Sequence, residues 1–173
     1  HLFLPPTAYY AVLDELAKRK YDTSSLRQLM IAAAPVSPEK LRVGVKLLGP
    51  VLCQCFGQAE SPMLVAWLSP KVLAEAVEGK YPERLRSCGQ VTSATLVAIL
   101  DENGVEMPAN VRGEICCRGP LVTPGYYKKP QDTAAMRKFG WHHTGDVGSL
   151  DEHGYLYIVD RLKDMIITGG FNV

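Results

Sequence analysis

The sequence predicts an α/β fold: part of a parallel, layered αβ sheet, followed by a small antiparallel β-barrel subdomain. Three observations carry this reading. After an opening helix, the first 60 residues run strand, helix, strand, the order of a parallel crossover unit. From about residue 88 the apolar runs shorten and turn signals crowd between them, as in small antiparallel sheets and barrels. The chain also holds 15 glycines and 12 prolines in 173 residues, an excess over ordinary usage that argues against a helical bundle.

Taken in order, residues 5–18 read as a helix opened by Pro5 and Pro6, with Leu13, Leu16 and Ala17 as its apolar stripe. Residues 22–25 form a turn, and the apolar run 26–34 is a buried strand that Pro35 ends. Ser37-Pro38-Glu39 starts a second helix: a hydroxyl cap, a proline whose missing N–H costs nothing there, and an acid at the positive end of the dipole. Leu41, Val45 and Leu48 give its inner face, and Gly49-Pro50 stops it. Residues 51–55 are the next strand. In such a unit, functional loops are expected at the carboxyl ends of the strands. Later, residues 94–100, 113–118, 141–144, 147–150 and 155–159 read as short strands, with hairpin-type turns at 101–104 and 151–154. The charged stretch 78–84 sets the boundaries. Residues 1–84 are expected to form the parallel part, 85–160 the barrel-like part, and 161–173 a hinge.

Composition narrows the partners. The chain is 47% hydrophobic and 21% charged, as ordinary soluble domains are. Its 19 basic and 18 acidic residues leave a net charge of +1, which removes the electrostatic case for nucleic acid. No apolar run approaches the roughly 20 residues that a bilayer span needs. Five cysteines, an odd number with no C-x-x-C pair, read as reduced buried thiols rather than a disulfide frame or zinc site. A cytoplasmic location is expected, with peripheral membrane association open; a homodimer is also open. The chain begins at His1 rather than Met and stops at Val173 without a polar tail, so a fragment is expected.

Four segments hold residue types a scaffold does not need. Ala32-Ala33-Ala34-Pro35 ends a strand in small side chains, which suit a flat ligand or a tight junction. Phe56-Gly57-Gln58-Ala59-Glu60 follows a strand with an aromatic plane and a carboxylate, able to stack on a base and to hold a hard cation such as Mg²⁺, or to form a plain surface loop. Gly140-Trp141-His142-His143-Thr144-Gly145-Asp146 presents an Asp beside a glycine, suited to two ribose hydroxyls or to a local turn bond. Its adjacent histidines point to opposite faces of a strand, which argues against a shared metal. Asp160-Arg161-Leu162-Lys163-Asp164, running on to Gly169-Gly170, alternates charge and reads alone as a solvated linker.

In this order and spacing the four segments resemble the adenylate-forming superfamily, most of all its fatty-acyl and aryl-acid CoA ligases. Ala32-Ala33-Ala34-Pro35 is similar to the adenine loop, Phe56-Gly57-Gln58-Ala59-Glu60 to the aromatic-Gly-x-Thr-Glu motif, Thr144-Gly145-Asp146 to the Thr-Gly-Asp motif and Arg161-Leu162-Lys163-Asp164 to the hinge signature. Gly113-Glu114-Ile115 and Gly125-Tyr126-Tyr127 fit the intervening pattern.

The resemblance implies a fragment of an acyl-CoA synthetase N-terminal domain. It implies that a carboxylic acid attacks the α-phosphate of ATP, and that coenzyme A then displaces AMP. It gives Phe56, with Gly57 and Gln58 in its motif, the adenine ring, and Ala33, Ala34 and Pro35 the adenine edge. It gives Glu60 the Mg²⁺, Asp146 and Arg161 the ribose, Lys163 the hinge of a lid, and Met63 a place in the acyl pocket. Two departures stand out. Ala59 replaces the family's Thr, whose hydroxyl serves the α-phosphate, and both the upstream phosphate loop and the lid's catalytic lysine are absent from these residues. The polypeptide alone is therefore expected to form no acyl-adenylate. Two alternatives stay open: a non-catalytic nucleotide-binding module of the same fold, for which Ala59 speaks, and an amino-acid adenylation domain, for which the expected pocket Asp is missing from residues 28–36 and 53–64.

Overall fold

Three helices begin alike, on a proline at the first turn: α1 (Pro6–Lys18), α2 (Pro38–Leu48) and α3 (Pro70–Val77). Ser37 Oγ accepts from Lys40 N and Ser69 Oγ from Val72 N, each at 3.3 Å, so α2 and α3 share one capping device. All three belong to the first of two compact units in a computed structural model that describes residues 1–161, 167–168 and 171–172. This unit comprises residues 1–55, 68–87 and 165–173.

Its sheet is parallel. Strand β1 (Leu2–Leu4) pairs with β2 (Leu29–Ile31), Leu2 opposite Leu29, and β2 pairs with β3 (Leu52–Gln58), Leu29 opposite Leu52. The expected strand–helix–strand order holds, but β2 is shorter than the 26–34 run. Leu26 N donates to Thr23 O in a turn at one end, and Ala33 takes a φ of +78° at the other, so neither flank can join the ladder. Tyr9, Leu13, Leu29, Ile31, Leu41 and Leu52 are buried together in this unit's core. The Tyr9 hydroxyl donates to the Lys40 carbonyl at 2.8 Å, tying α1 to α2. A 3₁₀ turn (Pro82–Arg86) seats Leu85, and β11 (Ile167–Thr168) pairs with β12 (Phe171–Asn172).

The second unit, residues 56–67 and 88–164, is antiparallel. Strands β4 (Ser61–Leu68), β5 (Gly89–Val91), β6 (Leu96–Leu100), β7 (Gly113–Arg118), β9 (Trp141–Leu150) and β10 (Tyr155–Arg161) lie in the order β4-β5-β10-β9-β7-β6. Helix α4 (Pro130–Ala135) leads into β8 (Arg137–Lys138), which pairs with β9. At β4 the path continues into β3 rather than turning back to β6, and no ladder among the described residues joins β4 to β6. The mixed α/β expectation holds; closure of the antiparallel part into a barrel is not seen. Side chains alternate across the ladder: Ala66, Ile99, Ile115 and Leu156 form one core cluster, and Ala98, Leu100 and Cys116 another. Cys53, Cys55, Cys116 and Cys117 are buried, as the reading of buried thiols expects, whereas Cys88 is half-buried. Among the described residues no helix is long and apolar enough to cross a membrane.

Gly57 is required by a close approach. A Cβ there would lie 2.2 Å from Met63 N and 2.7 Å from Ser61 O, both backbone atoms that cannot swing aside. Gly57→Ala is expected to cost about 1–3 kcal/mol, as overpacking does, and to lower the thermal midpoint by several degrees. An unchanged midpoint by calorimetry would contradict that close approach.

Candidate functional site

The Thr144-Gly145-Asp146 segment is not the turn between two strands that the sequence suggests. It is a bulge within the single strand β9. From Cys116 to Glu114, β7 takes two steps, while β9 takes four, from His143 to Val147. The surplus falls on these three residues, and Gly145 absorbs it with a φ of +75°. Thr144 fixes the bulge from inside. Its hydroxyl donates to the Ile115 carbonyl at 2.6 Å and accepts from Asp146 N at 3.1 Å.

Asp146 emerges only 2% exposed, a carboxylate that must be well partnered. Gln58 supplies one partner: its Nε2 donates to Asp146 Oδ2 at 3.0 Å and to the Thr144 carbonyl at 2.7 Å. Both amide hydrogens are then used, so Gln58 Oε1 accepts from His142 Nε2 at 3.3 Å. That assigns His142 the neutral Nε2–H tautomer, with a buried Nδ1 that has no partner among the described residues. Arg161 stands opposite Asp146 in the β10–β9 ladder. Lys163 lies outside the described residues.

Burial holds the His142 pKa below its ordinary value. The unfolded chain therefore takes up this proton at a higher pH than the folded one. Stability is complete above the ordinary histidine value of about 6.5 and falls as pH drops through it. The thermal midpoint is expected to fall between pH 7.5 and pH 5, and His142→Gln to fall less over that interval. Identical pH dependence in both proteins would remove His142 from the account.

Glu60 sits in the two-residue turn, Ala59-Glu60, between β3 and β4. The Tyr126 hydroxyl donates to Glu60 Oε1 at 2.5 Å, and this bond pushes the phenol up to about 12, so it remains the donor at neutral pH. The backbone is held as well: Thr123 N donates to the Glu60 carbonyl at 2.7 Å, and Arg137 Nη2 to the Thr123 carbonyl at 2.6 Å. Glu60 Oε2 carries no hydrogen bond among the described residues. A half-buried carboxylate with one oxygen oriented and the other available is the donor type that a hard divalent cation takes. Beside it, Ala59 is exposed and offers no hydroxyl. Phe56 is half-buried against the Ala66, Ile99, Ile115 and Leu156 cluster, and Met63 is exposed with a φ of +54°.

The second unit thus brings together Gln58 and Asp146, and carries Phe56, Gly57, Ala59 and Glu60 in the same hairpin. Ala33, Ala34 and Pro35 belong to the first unit, at the carboxyl end of β2, where Ala33 is exposed in a left-handed conformation.

Sequence reasoning assigned no role to Glu114, His143 or the Tyr126 hydroxyl. Glu114 Oε1 accepts from Gly145 N at 3.0 Å, and its Oε2 accepts from His143 Nδ1 at 2.7 Å. Only the places of Glu114 and Tyr126, each behind a glycine, marked them, because their partners lie 29 to 66 residues away in the chain. Glu114, Cys116 and His143 also gather an oxygen, a sulfur and a nitrogen within 4.8 Å. The ring and the carboxylate already bond each other, and burial, chiefly, pushes the Cys116 thiol up to about 12, so it is a poor thiolate ligand.

Against known proteins, the family described as AMP-binding enzyme matches residues 1–127. A medium/long-chain-fatty-acid–CoA ligase of Mycobacterium tuberculosis is 42% identical over 171 residues, which is 98% of this chain and 28% of that protein. A feruloyl-CoA synthase of Amycolatopsis is 37% identical over 99% of this chain and 33% of its own. The chain thus spans about a third of the length of these relatives. Among solved structures, the amide bond synthetase McbA from Marinactinospora thermotolerans superposes with a TM-score of 0.88 at 34% identity, over 99% of this chain and 33% of that one. The o-succinylbenzoate coenzyme A synthetase of Bacillus subtilis, in complex with ATP and magnesium ion, gives 0.79 at 27% identity, over 99% of this chain and 34% of that one.

Proposed function

The chain belongs to the AMP-binding enzyme family, and from that premise we propose that it is part of an AMP-forming carboxylic acid–CoA ligase. An acid carboxylate attacks the α-phosphate of ATP, pyrophosphate leaves, and the coenzyme A thiol then displaces AMP to give the thioester. The observation that carries this is the buried Asp146, raised on a bulge and held by Gln58, two residues from Glu60. Such a carboxylate suits the paired hydroxyls of a ribose.

The roles follow from chemistry and place. Asp146 accepts from the ribose hydroxyls, Gln58 holds Asp146 in position, and Arg161 serves the ribose from the neighbouring strand. Phe56 offers a ring face to adenine, and Ala33, Ala34 and Pro35 offer it a small-residue edge. Glu60 holds Mg²⁺, oriented by Tyr126; the ion, when bound, offsets charge on the phosphates. Lys163 is the hinge of a lid. Residues 1–84, 85–160 and 161–173 are proposed as the corresponding parts. A fatty or aryl acid is supported by the relatives, which include ligases named for both.

The test is thioester formation by the complete gene product, with ATP, Mg²⁺ and coenzyme A, across short, long and aryl acids. Turnover with one class supports the reading. AMP binding without turnover on any acid would favour the non-catalytic module that Ala59 suggests. Turnover only with amino acids would favour the adenylation-domain alternative. The 173 residues alone, lacking a phosphate loop and lid lysine, are expected to give no pyrophosphate exchange.

A further inference from the structure

Asp146 owes its place to a bulge, and a bulge must be held by something. Gly145 gives the backbone its left-handed turn but has no side chain to anchor it. Two atoms of the bulge are tied to β7. Thr144 Oγ donates to the Ile115 carbonyl at 2.6 Å, and Gly145 N donates to Glu114 Oε1 at 3.0 Å. The second tie is unusual, because a backbone N–H that lost its ladder partner is met by a side chain of the strand opposite.

Glu114 is itself held. Its other oxygen lies 2.7 Å from His143 Nδ1, and the far side of that ring lies 3.2 Å from the Lys138 carbonyl on β8. Both ring nitrogens face acceptors, so the ring donates to one or to both. The pair is well sheltered, with side chains 11% exposed for His143 and 19% for Glu114, which keeps water from competing for either bond. The carboxylate is thus fixed at both oxygens, one by the ring and one by the bulge.

We propose that Glu114 and His143 are positioning residues: a carboxylate–imidazole clamp that locks the β9 bulge so that Asp146 presents its oxygens to the ribose. The clamp touches no substrate; it acts through Gly145. The inference rests on the ribose role proposed for Asp146, and a single assay separates the two.

The measurement is the affinity of the complete gene product for AMP relative to 2′-deoxy-AMP, by calorimetry. The wild-type protein is expected to prefer AMP by about 30-fold, the worth of one hydroxyl–carboxylate bond. Glu114→Ala is expected to reduce the preference to a few-fold, while 2′-deoxy-AMP binds about as well as before. His143→Ala is expected to do the same. Glu114→Gln, whose oxygen still accepts from Gly145 N and whose amide can donate to His143 Nδ1, and His143→Asn, which returns an N–H near the position of Nδ1, are expected to restore most of the preference, a rescue that loss of packing alone would not show. A preference unchanged in Glu114→Ala and His143→Ala, yet abolished in Asp146→Asn, overturns the clamp and leaves the ribose role standing. No preference in the wild type overturns the ribose role itself, and the clamp's function with it. Equal loss of both nucleotides in Glu114→Ala and His143→Ala, with the ratio kept, also overturns the clamp. Circular dichroism of each variant separates misfolding from these outcomes, and His143→Ala with its Asn counterpart keeps the test alive if Glu114→Ala does not fold.

Discussion

Glu60→Gln is expected to lower kcat/KM for thioester formation by about a hundredfold or more, the scale at which a lost electrostatic group weakens a transition state. The substitution is chosen for what it leaves alone. A glutamine oxygen still accepts from the Tyr126 hydroxyl, and the backbone bond from Thr123 is untouched, so the turn keeps its shape. Only the negative charge goes, and with it the affinity for a divalent cation. Raising the Mg²⁺ concentration is expected to restore part of the loss, whereas AMP binding measured without Mg²⁺ is expected to be unchanged. A variant with full activity at low Mg²⁺ would take the cation away from Glu60.

Asp146→Asn is expected to weaken AMP binding by about 30-fold, or roughly 2 kcal/mol, the net worth of a hydrogen bond to a charged group. The asparagine has one acceptor oxygen where the aspartate had two, and Gln58 already donates to that side chain. An amide nitrogen cannot accept, so the variant exchanges at least one charge-assisted bond, to the ribose or to Gln58, for a weaker neutral one. An analogue lacking both ribose hydroxyls is expected to bind variant and wild type alike. Equal weakening of that analogue would show that Asp146 shapes the protein rather than the ligand's sugar. The two substitutions also separate the halves of the proposal, since one removes a charge meant for phosphate chemistry and the other an acceptor meant for ribose.

How far the chain could be read before folding depends on how local each signal is. Helix α2 was legible because Ser37-Pro38-Glu39 is a cap, a first-turn proline and a dipole-matched acid within three residues. Helix α3 carries the same Ser-Pro start, but its eight residues are too few to show a full apolar stripe. Strand β1 has three residues and no alternation to read. The motifs at Phe56–Gln58 and Asp146 were legible as residue types. Their arrangement was not, because Gln58 finds Thr144 and Asp146 across 86 and 88 residues. Gly145 reads as a turn in sequence, since only pairing with β7, a long-range event, makes the strand continue through it. Glu114 was the least legible of all. Its meaning resides in the N–H of Gly145, 31 residues onward.

That bulge has a consequence for descent. Loss of a single codon within Thr144-Gly145-Asp146 would invert the pleat downstream and put the wrong faces of β9 into the core. Loss of two would let the four steps of β9 match the two of β7, and the ladder would run straight. Such a lineage would keep its strands and its core while surrendering the raised carboxylate. Genes that have shed the chemistry but kept the architecture are therefore reachable in one mutational event, and their signature would be a gap of two residues at this place in an otherwise intact strand.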